Sequence, residues 1–135
     1  MNKVISCILC TVLLAMCFSS CSNKGNDEAS ESIIGVWRLD KVTVPMMGKT
    51  YDYAQYSILY TFDTEGILTV FGETGKIEWY GGHLGVYTYA IIEKENEKVL
   101  KIGEFSEFSL GITSGKLVIS DAPLDGFIYY LTKNN

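Results

Sequence analysis

Gln55-Tyr56-Ser57-Ile58-Leu59-Tyr60-Thr61-Phe62-Asp63-Thr64-Glu65-Gly66-Ile67-Leu68-Thr69-Val70-Phe71-Gly72 is the stretch whose reading decides the fold. Tyr56, Ile58, Tyr60 and Phe62 alternate with Gln55, Ser57 and Thr61, and Leu59 is the one exception. A period of two places the large side chains on one face of an extended chain, with the polar ones on the other. One buried face and one wet face is the pattern of an antiparallel sheet. Asp63-Thr64-Glu65-Gly66 then supplies the turn, with glycine at the position where a left-handed residue closes a hairpin. Ile67–Gly72 is the returning strand.

Working outward, the same grammar of β-branched and aromatic runs broken by Gly, Asp or Asn gives strands near Gly35–Val44, Gln55–Phe62, Ile67–Gly72, Lys76–Tyr80, Leu84–Ile92, Val99–Gly103, Phe105–Ile112, Lys116–Ser120 and Gly126–Lys133. Helical periodicity is nearly absent. Glu93-Lys94-Glu95-Asn96-Glu97-Lys98 reads as a charged hairpin tip, and Thr113-Ser114-Gly115 and Ala122-Pro123-Leu124-Asp125-Gly126 as later turns. Short connections make neighbours in sequence neighbours in space. The expectation is an all-β domain, a small antiparallel up-and-down β-barrel of about eight to ten strands, because closure removes the exposed edges along which sheets aggregate. A β-sandwich is the alternative.

The N-terminus obeys other rules. Lys3 precedes an almost wholly apolar run from Val4 to Phe18, which is shorter than the roughly 20 residues a spanning helix needs and reads as a signal-peptide core. Phe18-Ser19-Ser20-Cys21, followed by the polar run Ser22 to Glu28, resembles a lipobox. The resemblance implies cleavage before Cys21, with lipid on its sulfur and often on its new amine. Leu14-Ala15-Met16-Cys17 is a rival site, but Met16 is bulkier than such sites usually accept. Cys7, Cys10 and Cys17 fall in the discarded leader, so the mature chain keeps Cys21 alone and forms no internal disulfide. The expected organisation is a signal peptide over 1–20, a flexible tether over 21–32, where Ser, Asn, Gly, Asp and Glu dominate, and a barrel domain over 33–135. The address implied is the cell envelope, lipid-anchored at the outer membrane on its periplasmic or outer face.

The formal charge of the chain is −5, and loss of Lys3 with the leader makes it one unit more negative. An acidic surface speaks against nucleic acid, which calls for clustered Lys and Arg.

At Gly35-Val36-Trp37 the chain resembles the Gly-x-Trp opening strand of lipocalins and of small lipocalin-like lipoproteins of gut Gram-negative bacteria. Tyr60-Thr61-Phe62-Asp63-Thr64-Glu65-Gly66 is similar to their second-strand hairpin, Gly85-Val86-Tyr87-Thr88-Tyr89 to a mid-barrel strand, and Gly115-Lys116-Leu117-Val118-Ile119 with Tyr129-Tyr130-Leu131 to the closing strands. Lipocalins pack a basic residue of the last strand on the tryptophan ring, and here only Lys133, near the strand's end, offers itself. The resemblance implies a barrel fold and leaves the activity open. Independently of it, Gly35 permits a bend or a close approach and Trp37 an apolar plug, both structural roles.

The inventory for catalysis is thin. His83 is the only histidine and no free thiol remains, so Cys–His chemistry and a three-histidine zinc site are excluded and a Ser–His–acid triad would hang on one loop residue. Asp63 with Glu65, and Asp121 with Asp125, are calcium or acid–base candidates by type, but their places beside Gly66 and Gly126 suit turn formation. No enzyme, cofactor or metal is expected.

Aromatic residues make up 13% of the chain, and Phe18 alone is lost with the leader. An interior carrying phenols suits an amphipathic ligand, since a purely structural core favours Leu, Ile and Val. The ligand-binding candidates are Tyr56, Tyr60, Trp79, Tyr87, Tyr89 and Tyr129, with Trp79 and Tyr80 carried on the glycine-bounded segment Gly72 to Gly85. The leading expectation is a non-enzymatic protein binding a small apolar or amphipathic molecule. The alternatives are an acidic module that engages an envelope protein, as inhibitor or accessory subunit, and glycan binding by Trp79 and Tyr80.

Overall fold

The computed structural model describes residues 32–73, 84–104, 106–121 and 126–135. The leader, Cys21, the tether before Ser32, the expected strand Lys76–Tyr80 and the turn Ala122–Asp125 lie outside them. The described residues form nine strands: β1 (Gly35–Val44), β2 (Lys49–Asp52), β3 (Leu59–Phe62), β4 (Ile67–Phe71), β5 (Gly85–Lys94), β6 (Glu97–Ile102), β7 (Ser106–Thr113), β8 (Lys116–Ser120) and β9 (Ile128–Lys133). From β3 onward each strand pairs antiparallel with the next, β1 pairs with β3, and β9 returns to β1. Eight strands therefore close into an up-and-down barrel, consistent with a lipocalin-like fold, and β2 stands outside the ring.

Closure depends on β1, which is long enough to serve three partners. Its first residues pair with β3, Gly35 opposite Phe62 and Trp37 opposite Tyr60. Its last four pair with β2, and its other edge carries β9 from Trp37 to Thr43. The strand needs a change of phase to do this. Trp37 and Leu39 are buried at odd positions, Val42 and Val44 at even ones, and a one-residue slip would normally turn the second pair to solvent. A bulge absorbs the slip: opposite β9 the register jumps from Leu39 to Lys41, leaving Asp40 as the extra residue. Asp40 then faces outward, where its carboxylate accepts from the Thr132 hydroxyl and from Arg38 Nη2 at 3.2 Å.

Two sequence expectations are corrected here. β2 was not among the expected strands, and β3 begins at Leu59 rather than at Gln55. Between β2 and β3 the chain leaves the ladder: the Asp52 carboxylate accepts from Ala54 N at 2.9 Å, and Tyr56 N donates to Tyr53 O at 2.9 Å. The alternation of Tyr56 and Ile58 continues the strand rhythm through a turn, because Ile58 and Tyr53 are both buried without being in a strand. Leu39 N donates to Ile58 O and Tyr53 N to Asp40 O, which ties this excursion to the middle of β1.

The hairpins carry the expected turn chemistry. Gly66 has φ +83°, and Asp63 Oδ1 accepts from Glu65 N at 2.9 Å and Ile67 N at 2.8 Å, so this carboxylate organises the turn. The charged tip narrows to two residues, with β5 running to Lys94 and Glu95 and Asn96 both left-handed. That is the turn whose twist matches paired strands.

Candidate functional site

Inward positions along the strands divide by what they meet. Near the start of β1 they pack solid: Trp37 and Leu39 are fully buried, as are Leu117 and Leu131 on β8 and β9, and Leu39, Leu131 and Leu117 share one cross-strand row. The Trp37 indole N–H donates to Ile33 O at 2.6 Å, so the ring is buried with its polar atom satisfied. Lys133 Nζ stands 5.4 Å from the centre of that ring, within range of a cation–π contact. Lys133 is the one basic residue of β9.

Toward the ends of β4, β6 and β8 the same walls leave a pocket of about 190 Å³ that is open to solvent on one side. Its apolar wall is Leu68 and Val70 on β4, Ile102 on β6, Phe108 on β7 and Ile119 on β8; its polar groups come from Tyr60, Tyr87, Tyr129 and Ser106. Register explains the convergence. Tyr60 lies opposite Val70, Leu68 opposite Tyr87, and Ile119 opposite Tyr129, and residues directly opposite one another point to the same face. The Tyr87 hydroxyl donates to Leu84 O at 3.2 Å. It folds over Gly85, where a Cβ would stand 3.1 Å from that oxygen. Gly72 admits an equally close approach, since a Cβ there would meet Ile58 Cα at 2.8 Å. Both glycines bounding the segment between β4 and β5 therefore serve packing.

Of the tyrosines singled out in the sequence, Tyr60, Tyr87 and Tyr129 line this cavity. Tyr89 and Tyr56 do not. The Tyr89 ring meets Phe62 edge-on at 5.0 Å, and its hydroxyl donates to Asp63 O at 2.5 Å; burial, and then the nearby Asp63 charge, pushes its pKa above the usual 10.0. Tyr56 packs against the core with its ring 6.2 Å from that of Tyr53. Trp79, Tyr80 and His83 lie outside the described residues. The sequence reading missed Leu68, Val70, Ile102, Ser106, Phe108 and Ile119 as lining. All but Ser106 were visible as inward positions of alternating runs, but alternation does not say which inward residues meet empty space.

On the outer wall beside this half, Phe71 is 70% and Val86 68% exposed, on adjacent strands where Thr69 lies opposite Val86. No protein-family model, no curated protein and no solved structure matches this chain, so what the site does is argued from its geometry.

Proposed function

We propose that this protein is a lipid-anchored, non-enzymatic component of the cell envelope, attached through Cys21, whose barrel binds a small apolar or amphipathic molecule. The observation that carries the reading is an apolar-walled pocket of about 190 Å³, open to solvent on one side, set among the inward side chains of the barrel. A space of about 150 Å³ with apolar walls is large enough to hold a benzene ring. Mostly apolar walls with a few placed hydroxyls are the lining that small-molecule sites use. The lipobox resemblance at Phe18–Cys21 supports the attachment, and the acidic charge of −5 argues against nucleic acid as the partner.

Native mass spectrometry of the protein isolated from its own cells tests the binding. A bound small molecule is expected, and it should be lost in Val70→Trp, which fills the cavity from β4. Wild-type protein that carries nothing would defeat the reading. Intact mass of the same sample tests the anchor: a chain beginning at Cys21 with acyl mass added is expected, and an unmodified Met1 start would refute it.

A second reading is favoured by the exposed pair Phe71 and Val86: this outer face docks an envelope protein. Phe71→Glu should then abolish cross-linking to that partner while leaving the cavity occupied.

A further inference from the structure

We propose that Met46 and Met47 form a reversible oxidation site for hydrogen peroxide, at which the tip between β1 and β2 is converted from apolar to polar while the barrel stays folded. The inference concerns a part of the molecule away from the pocket and stands or falls without it.

Val44-Pro45-Met46-Met47-Gly48-Lys49 carries the chain from β1 into β2. Turns of this kind usually take Gly, Asn, Asp or Ser at their centre, and here two long thioethers stand there instead. The backbone makes the turn without their help. Pro45 opens a single 3-10 turn over Pro45–Met47 with its φ already set, and Gly48, left-handed at φ +59°, closes it by donating its N–H to Pro45 O at 3.0 Å. Val44, one residue earlier, is the last side chain buried in the core.

Met46 is 71% exposed and Met47 58%. Among the described residues the core is built from Leu, Ile, Val, Phe, Tyr and Trp, with no methionine. The other two methionines of the chain, Met1 and Met16, belong to the expected leader. The thioethers of the barrel domain are therefore gathered at one wet tip, and its largest buried ring, Trp37, is shut away from solvent. A buried methionine that becomes a sulfoxide forces a polar group into apolar surroundings and loosens the core. At this tip the new oxygen meets water.

The chemistry needs no residue beyond the thioether. A sulfur lone pair attacks one peroxide oxygen, the S–O bond forms as the O–O bond breaks, and the second oxygen leaves as hydroxide. That hydroxide takes the proton of the transferred oxygen and becomes water. Sulfur gives up two electrons and the peroxide takes them, so each event consumes one peroxide and yields one sulfoxide and one water. A 3-10 turn holds successive side chains about a third of a turn apart, so each sulfur is reached from its own side and the two should react independently. Methionine sulfoxide reductases, one for each sulfoxide epimer, reverse the step.

The test exposes the full-length protein to hydrogen peroxide at neutral pH with N-acetylmethionine amide in the same tube, and follows each methionine by peptide mass mapping. Because oxidation tracks exposure, Met46 and Met47 should react at between about half and the whole rate of the free compound, Met46 the faster. Rates more than about tenfold below the free compound would overturn the site. Urea unfolding is then measured on oxidised protein beside Met46→Leu/Met47→Leu treated alike. Equal midpoints, or equal losses in both, support a tip whose oxidation leaves the barrel intact. A loss confined to the wild type overturns that claim. Treatment with both reductases should return the two residues to thioethers in the folded protein, and sulfoxides that persist would overturn reversibility.

Discussion

The two halves of the barrel interior are built from the same alternation and end in different states. Where β1 begins, Trp37, Leu39, Leu117 and Leu131 fill the space completely. Where β4, β6 and β8 end, Tyr60, Tyr87 and Tyr129 with Leu68, Val70 and Phe108 leave about 190 Å³. Period and register decide which residues face inward, and side-chain volume and length then decide whether the interior closes. Tyr60, Tyr87 and Tyr129 lie in the open half, where the Tyr87 hydroxyl donates to Leu84 O. In the closed half the indole N–H of Trp37 is matched at once by Ile33 O.

The largest way to break this contrast is to empty the closed half. Trp37→Ala removes a fully buried ring and should cost about 3–5 kcal/mol, a large part of the roughly 5–15 kcal/mol that holds a domain together. Urea unfolding measures it, and a loss below about 1 kcal/mol would mean that the plug is not structural.

Adding volume sharpens the comparison, because the two halves should answer with opposite signs. Leu117→Phe pushes a ring into a place with no space and should cost about 1–3 kcal/mol by overpacking. Val70→Phe puts the same ring against the cavity and should leave stability unchanged or raise it. Thermal unfolding of both variants decides; equal destabilisation would show that the open half is as tightly packed as the closed one.

How far the sequence carries this picture differs along the chain. The hairpin from Leu59 to Phe71 was legible because period-two alternation and a glycine turn point the same way. The bulge at Asp40 was legible in principle, since the buried residues change phase from Trp37 and Leu39 to Val42 and Val44, but a single extra residue is easily read through. β2 was not legible: Lys49, Thr50 and Asp52 are exposed, so no alternation marks it, and only its pairing with the far half of β1 makes it a strand. At the site, inward direction could be read for Tyr60, Tyr87, Tyr89 and Tyr129 alike. Separating Tyr89 from the other three needed the hairpin geometry that brings Asp63 O to its hydroxyl, a contact between residues far apart in sequence. Lys133 shows the reverse: its position near the end of the last strand read as a departure from the Gly-x-Trp pattern, yet its Nζ stands 5.4 Å from the Trp37 ring centre.

Lys133→Met probes that contact while keeping an apolar stem of similar reach. Loss of the cation from above the ring should cost about 0.5–1 kcal/mol, well below the Trp37 deletion. A double-mutant cycle with Trp37→Leu, which has no ring face to hold the cation, isolates the coupling. Additive effects would mean that the lysine merely lies near the ring.

The smallest expected effect is alkaline. Burial and the neighbouring Asp63 charge raise the Tyr89 pKa above 10.0 in the folded chain, so the folded state holds this proton more tightly than the unfolded one. Below about pH 10 both states are protonated and the stabilisation is complete. As pH climbs, the unfolded chain ionises first, and stability drains away until the folded hydroxyl also loses its proton. Other tyrosines titrate in the same range, so the readout is a difference between proteins. Tyr89→Phe keeps the edge contact with Phe62 and discards the hydroxyl that reaches Asp63 O. Between about pH 8 and about pH 11 the wild-type unfolding midpoint should fall more steeply than that of Tyr89→Phe, with the divergence beginning near pH 10. Parallel curves would mean that Tyr89 titrates alike in both states, and that its hydroxyl contributes nothing specific to this end of the barrel.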